Sequence, residues 1–508
     1  MSSPPTLAKR VLMLGIDGLS TSFMRAPVVA DNMPILSSLF EASATGPLWS
    51  TFPPYTGPAW TSITTGVGPG RHGVFGFTDH AGRPCSDTTV SVPRLWDYVG
   101  SAGGRSIVVN VPMTHPPRPI DGVLVSGMPA PSAEITFPPR VASELQSREY
   151  IVDIAVAEGG REGASTLDSL AEMTRRRGEM AAWLARSQPW DLYAIVFVLP
   201  DRLGHPWWKQ LVPGDGLYES RRAERVRRGA QGALVALDEA IGALLETLPQ
   251  DTAIVLCSDH GFGPLHADVF FDLVLAEAGL ATAGPQTGLH RALARAGRSR
   301  PAQFAPRALH RWARTKAAGP IEPQERRAWT TPPYESGVRL ADSSDEELRQ
   351  RVTKLLTDLR TPDGRQAVKS VTRRGDLYGG SRTDEAADLL CEMVDETVGL
   401  HNGMHATTPW VSRDHLPWGT HASEGVVAIS GVPASRRLEG MAPDIAPTVL
   451  GLLGLEAKGL DGRSLVALEP DLTPVAAGSH APPEGEPAYT ADQEAAVMEQ
   501  LRSLGYVD

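Results

Sequence analysis

The sequence predicts an α/β fold: a mostly parallel central sheet flanked by helices on both faces, with an inserted cap region. Two observations carry this. Short, nearly continuous apolar runs recur along the chain, as in strands buried on both faces. Between them lie amphipathic patterns of helical period, and strands alternating with helices imply parallel crossovers. A third observation places the cap: from about Gly279 to Trp418 the alternation breaks.

The first apolar run is Arg10 to Ile16 (RVLMLGI), ending on Asp17-Gly18. SIVVNVP (Ser106 to Pro112), DLYAIVFVL (Asp191 to Leu199), TAIVLC (Thr252 to Cys257) and GVVAIS (Gly425 to Ser430) follow as further central strands. The clearest helix is Ala233 to Leu248, where Leu234, Leu237, Ile241, Leu244, Leu245 and Leu248 form one apolar stripe. Inside the cap, residues 285–316 carry eight Lys/Arg and no Asp or Glu, open to three readings: a solvated helical surface, which is preferred, an amphipathic contact for anionic lipid, or a lid steering anionic substrate. A helix from Ser344 to Arg360 is expected next, with Ser344 and Glu347 as its capping box. Pro470 to Pro487 reads as linker, and a last helix, capped by Thr490 with Gln493, runs to Leu504. The expected organisation is a core of 5–278 and 419–468, an insertion of 279–418, and a linker plus helix over 469–508.

The 508 residues suffice for a large core, and 42% hydrophobic with 21% charged residues is ordinary globular composition. Lys+Arg 48 against Asp+Glu 59 leaves −11, so the overall field repels polyanions and excludes a general nucleic-acid binder. Three scattered cysteines make neither a disulfide framework nor a thiolate metal site. No apolar run approaches a membrane span or a signal peptide, so a cytoplasmic protein is expected.

Four segments place Asp or His at the ends of expected strands: Asp17; Asp201 and His205 in PDRLGH; Asp259 and His260 in CSDHGFGP; His421 in WGTHASEG. Singly, each is better read as a helix cap or a satisfied core histidine. Jointly they supply three carboxylates and three imidazoles, a donor set suited to two divalent ions, zinc first and manganese second. In TFPPYTGPAWTSITTG, Thr56 precedes Gly57-Pro58 and a helix-compatible stretch, which makes its hydroxyl an expected N-cap beside an anion site. His266, His401, His405 and His415 lack comparable context and read as surface or structural residues.

These segments resemble the alkaline phosphatase superfamily, in its type I phosphodiesterase/nucleotide pyrophosphatase branch and the bacterial predicted phosphohydrolase/phosphomutase relatives. The motifs run in order: GIDG at 15–18, TGPAWTSITTG with PGRHG at 56–73, NVPMTHPP at 110–117, DRLGH at 201–205, SDHGFGP at 258–264, GTHASEG at 419–425, and DIAPTVLGLLGL with DGRSL at 444–465. The resemblance implies an alkaline-phosphatase-like core with Asp17, Thr56, Asp259 and His260 around one metal ion and Asp201, His205 and His421 around the other. Thr56 would be the nucleophile. Relatives often write their nucleophile Thr-Phe-Pro, which Thr51-Phe52-Pro53 mimics, but counting back nine residues from Thr65 of the Thr65-Gly66 pair lands on Thr56.

The implied reaction is in-line phosphoryl transfer from a small phosphorylated substrate to Thr56, followed by hydrolysis of the phosphothreonine. An acceptor alcohol in place of water would make the same site a phosphotransferase or mutase. Nucleotide pyrophosphatases carry an Asn five residues after the His-Gly histidine, where this chain has Phe77. An apolar wall there favours a phosphodiester or pyrophosphate over a monoester. Arg202 is open to two readings, a substrate contact or an ion pair with Asp201. A sulfatase would need a C/S-x-P-x-R signature that Cys85-Ser86-Asp87 does not supply, and cofactor-independent phosphoglycerate mutases use Ser where this chain has Thr56. A non-catalytic metal- or phosphate-binding protein would be expected to have lost at least one ligand, and all six are present.

Overall fold

A computed structural model describes residues 8–154, 156, 163–281, 326–332, 335–403, 406, 408–432, 437–468, 472–477, 488–504 and 506–507. The basic stretch 285–316, His405 and most of the Pro-rich linker lie outside them. The chain divides into two compact units: Met1–Pro264, Tyr378–Glu385 and Leu416–Leu504 in the first, and Leu265–Leu377, Ala386–His415 and Gly505–Asp508 in the second.

In the first unit the elements that matter are β1 (Arg10–Ile16), β2 (Ala44–Trp49), α1 (Thr56–Thr65), β3 (Ser106–Val111), β4 (Gly122–Ser126), β5 (Thr136–Phe137), α2 (Gly163–Ser187) and β6 (Leu192–Phe197). They continue as α3 (Leu199–Leu211), α4 (Arg221–Leu245), β7 (Thr252–Cys257), β8 (Gly261–Pro264), β9 (Gly419–Ala422), β10 (Glu424–Ser430), β11 (Gly440–Met441), α5 (Ile445–Leu452) and α6 (Ala491–Ser503). The nine-stranded sheet has the order β11-β2-β10-β7-β1-β6-β3-β4-β5. Its middle, β7-β1-β6-β3-β4, is parallel. The expected α/β architecture is therefore present, with β10 running antiparallel between β7 and β2.

Val11, Leu12, Met13, Leu14 and Ile16 of β1 are completely buried. At about 1.5–3 kcal/mol for each buried aliphatic side chain, these residues fix the depth of the strand and hence the height of Asp17. The helix over Ala233 to Leu248 starts earlier than its stripe suggests, at Arg221, because Ser220 accepts from the Ala223 N–H and caps it. Thr490 and Gln493 form the expected capping box on α6.

Two local expectations are corrected. Ser344 is not the cap of its helix, which runs Glu346–Thr357 with Asp345 as N-cap, accepting from the Leu348 N–H. Ser344 is engaged instead by Asp342. Likewise, Tyr55 is the N-cap residue of α1 and Thr56 its first helical residue, with no side chain capping the end. The Thr56 hydroxyl is thereby left for other partners.

The second unit holds a four-stranded sheet (Ala328–Thr330, Gly337–Leu340, Leu389–Met393, Val368–Arg373) and a three-stranded one (Val398–His401, Ala267–Phe270, Trp410–Ser412) around its own apolar core. Among the described residues, no helix is long and apolar enough to cross a membrane.

Candidate active site

Parallel register brings distant residues to one end of the sheet. Gly15 pairs with Val196 of β6 and with Cys257 of β7, so the residues after all three strands emerge together. Asp17 follows β1, Asp259 and His260 follow β7, and Asp201 sits in the first turn of α3 beyond β6. Gly18 makes the convergence possible: its φ is +70°, and a Cβ there would lie 3.0 Å from the Asp201 Cα. His205 is one helical turn after Asp201 on α3, so both side chains face the same way. His421 lies on β9, paired with Phe262 of β8 in a two-stranded sheet beside the β7 end.

The six side chains form one cluster. His205 Nε2 and His421 Nε2 are 3.1 Å apart, and each is 3.3 Å from Asp201 Oδ1. His260 Nε2 is 3.3 Å from Asp259 Oδ2 and 3.7 Å from Asp17 Oδ1. The His260 and His421 rings stack at 3.8 Å between centroids. Thr56 Oγ1 lies 3.2 Å from His260 Nε2, so the nucleophile candidate meets the ligand set implied for the first ion. Thr51 donates instead to the Pro53 carbonyl.

Each carboxylate is held by one oxygen, and in Asp17 and Asp259 the other is left without a hydrogen-bond partner. Asp17 Oδ2 accepts from the Trp60 indole at 2.9 Å, Asp259 Oδ1 from the Gly18 N–H at 3.3 Å, and Asp201 Oδ2 from Arg202. Asp17 Oδ1 and Asp259 Oδ2 are the buried orphans, and Asp201 Oδ1 faces the Nε2 atoms of His205 and His421. The imidazoles follow the same logic: His260 donates Nδ1–H to the Gly261 carbonyl and His421 donates Nδ1–H to Pro54, which turns each Nε2 lone pair toward the carboxylates. Buried acceptors without donors are costly unless a cation satisfies them. Asp17, Asp259 and His260 bring ligand atoms within 4.8 Å of one another, as do Asp201, His260 and His421, so these residues fit divalent metal.

The electrostatics agree. Burial, reinforced by Asp201, pushes Asp17 well above the usual carboxylate range. Burial, with Asp17 and Asp201, does the same to Asp259. Burial also opposes charge on Asp201, but His205 and Arg202 together hold it well below that range. Burial keeps His260 and His421 neutral, the form that binds metal. Three carboxylates this close need positive charge among them to ionise together.

Arg202 is in the ion pair. Its guanidinium is 3% exposed, grips Asp201, and meets both oxygens of Asp153 at 3.0 and 2.6 Å. That engagement runs against the reading of Arg202 as a substrate contact. Phe77 is fully buried with its ring edge against Tyr55, centroids 5.2 Å apart, at the entry to α1. Residues that the sequence reading missed are those holding the ligands: Trp60, Asp153 and the Pro54 carbonyl. Only Trp60 lies in a motif; Asp153 has no local signal at all.

The family model described as type I phosphodiesterase / nucleotide pyrophosphatase matches residues 11–421. Two crystal structures of phosphonoacetate hydrolase from Sinorhizobium meliloti 1021, in complex with phosphonoformate and with phosphonoacetate, superpose with TM-scores of 0.53 and 0.54. Each is 15% identical, over 88% of this chain and 98% of that one. No curated protein matches the sequence.

Proposed function

The chain belongs to the type I phosphodiesterase/nucleotide pyrophosphatase family of metal-dependent hydrolases, and we propose that it cleaves phosphodiester or pyrophosphate bonds at a two-metal site through a phosphothreonine on Thr56. The observation that supports this best is the set of three buried carboxylates, each held through one oxygen, with the second oxygens of Asp17 and Asp259 orphaned beside His260 and that of Asp201 facing His205 and His421. Asp17, Asp259, His260 and Thr56 would hold one ion, and Asp201, His205 and His421 the other. Divalent ions held there would supply Lewis-acid charge to the phosphoryl group as it transfers.

The chain's own groups do the rest. Thr56 sits at the first position of a helix with an uncapped N-terminus, where free N–H groups and the dipole favour a phosphoryl group. Its Oγ1 attacks phosphorus in line as its proton passes to solvent, and the ester or phosphate oxygen departs and takes up a proton from water; a water then attacks the phosphothreonine, breaks the Thr56 O–P bond, and releases phosphate or a phosphomonoester as the hydroxyl regains its proton. Phe77 and Tyr55 are fully buried behind this end of the helix and offer no surface to a substrate, so the preference for a diester or pyrophosphate bond rests on the family.

Elemental analysis combined with a panel of phosphomonoesters, phosphodiesters, nucleoside polyphosphates and phosphonoacetate on one preparation tests the reading. Up to two divalent ions per chain, zinc foremost, with diester or pyrophosphate turnover abolished by chelation, is expected. A chain that takes up no divalent ion overturns it, as does turnover of monoesters or phosphonoacetate alone. Phosphoryl transfer to an added alcohol in preference to water would make it a phosphotransferase.

A further inference from the structure

Trp60 lies on α1 one turn after the proposed nucleophile Thr56, and it is completely buried. Its ring and its N–H do different things. The ring lies over Gly15 of β1: a Cβ at Gly15 would come within 2.4 Å of Trp60 Cη2 and 2.9 Å of Cζ3, so the strand lacks a side chain where the indole rests. The N–H reaches the Asp17 Oδ2 at 2.9 Å. Gly15 and Asp17 are two residues apart, where alternation puts both on one side of a strand. One side chain thus keys the nucleophile helix to β1 at two points.

We propose that Trp60 is a positioning residue that fixes both the spacing between Thr56 and Asp17 and the identity of the Asp17 oxygen offered to metal. This rests on the two-metal reading above. A tryptophan serving the core alone needs its area covered and its N–H satisfied by any acceptor. Here the acceptor is a carboxylate whose other oxygen, Oδ1, is an orphan beside His260. With Oδ2 anchored, the carboxylate cannot rotate about its terminal torsion, a torsion that is otherwise broad. Because Trp60 and Thr56 share a helix turn, displacing the indole moves the hydroxyl and releases the ligand together. Outer hydrogen bonds of this kind typically change metal affinity about 10–100-fold.

The test uses the full chain with Trp60→Phe, and with Trp60 replaced by β-(3-benzothienyl)alanine, which keeps the ring shape and lacks the N–H donor. Zinc affinity is read by competition with a chromophoric chelator, alongside the thermal midpoint of metal-free protein and kcat and KM for bis(p-nitrophenyl) phosphate. The expected result is zinc affinity weakened about 10–100-fold in both variants, with kcat lowered and KM changed less than about threefold. The benzothienyl variant should keep the wild-type metal-free midpoint. In an Asp17→Ala background, removing the donor should weaken zinc no further. Wild-type affinity in the benzothienyl variant overturns the proposal, as does equal weakening in the Asp17→Ala background. Wild-type protein that takes up no divalent ion defeats the two-metal reading itself; normal uptake with an unaffected benzothienyl variant defeats the Trp60 proposal alone.

Discussion

Replacing Arg202 with Met separates an ion-pair residue from a substrate-binding one. The guanidinium is 3% exposed, and its partners Asp153 and Asp201 are 1% and 0% exposed. Removing one partner of a buried pair leaves an uncompensated charge and costs about 3–5 kcal/mol. Here the upper half of that range is expected, since one cation faces two carboxylates. At about 2 °C per kcal/mol for a domain of more than 200 residues, the midpoint should fall by roughly 8–10 °C. Replacing the pair together, as Arg202→Met with Asp153→Leu, should recover much of the loss, because an apolar substitute of similar volume is close to neutral. Thermal unfolding with excess metal, in parallel with kcat and KM on a phosphodiester, is the assay. A midpoint within about 1 °C of wild type, with KM raised more than about tenfold, would refute the reasoning and return Arg202 to the substrate.

Thr56→Ala should keep its fold and most of its metal while losing turnover by roughly three orders of magnitude or more, with Thr56→Ser retaining part of the rate; rapid quench and mass spectrometry should find phosphate on Thr56, and a fully active Ala variant with Thr51→Ala dead moves the nucleophile. Phe77→Asn should leave the kcat/KM ratio of bis(p-nitrophenyl) phosphate to p-nitrophenyl phosphate unchanged, and a shift toward the monoester returns Phe77 to substrate selection. His115 is 2% exposed, stacks on Tyr489 and is pushed by burial from 6.5 to about 4. Above pH 6.5 it is neutral folded or unfolded; as the pH falls from 6.5 toward 4 the unfolded chain takes the proton first, so the folded state loses up to about 3 kcal/mol. His115→Phe should therefore flatten the fall of the thermal midpoint over that window, and an unaltered slope would show that His115 is not responsible for it.

Much of the first unit was legible because its signals are local. Thr252–Cys257 is a strand over the expected residues, and Arg10–Ile16 ends at Asp17 as read, since an unbroken apolar run has no stable place except inside a sheet. Ala44–Trp49 went unread because Gly46 and Pro47 look like a turn. Only pairing with β10 and β11 makes it a strand, and Leu438, ahead of β11, passes so close that a Cβ at Gly46 would meet its carbonyl at 1.8 Å. The reading of Thr56 as an N-cap failed by one residue, since caps depend on backbone angles that composition leaves open.

The donor chemistry of the site was in the sequence: three Asp, three His and a Thr in ordered motifs, enough to carry the resemblance to the family whose model matches. Only the tertiary structure decided which oxygen of each carboxylate is spoken for. Asp17 is held by Trp60 from 43 residues away, Asp259 by Gly18 from 241, and His421 by Pro54 from 367. Arg202 touches its neighbour Asp201, yet its role depends on Asp153, 49 residues distant. A hydrogen bond acts over about 3 Å, while the separation of its partners along the chain is set by how the strands pair. Local sequence therefore supplies the donors and acceptors, and the sheet register decides which of them meet.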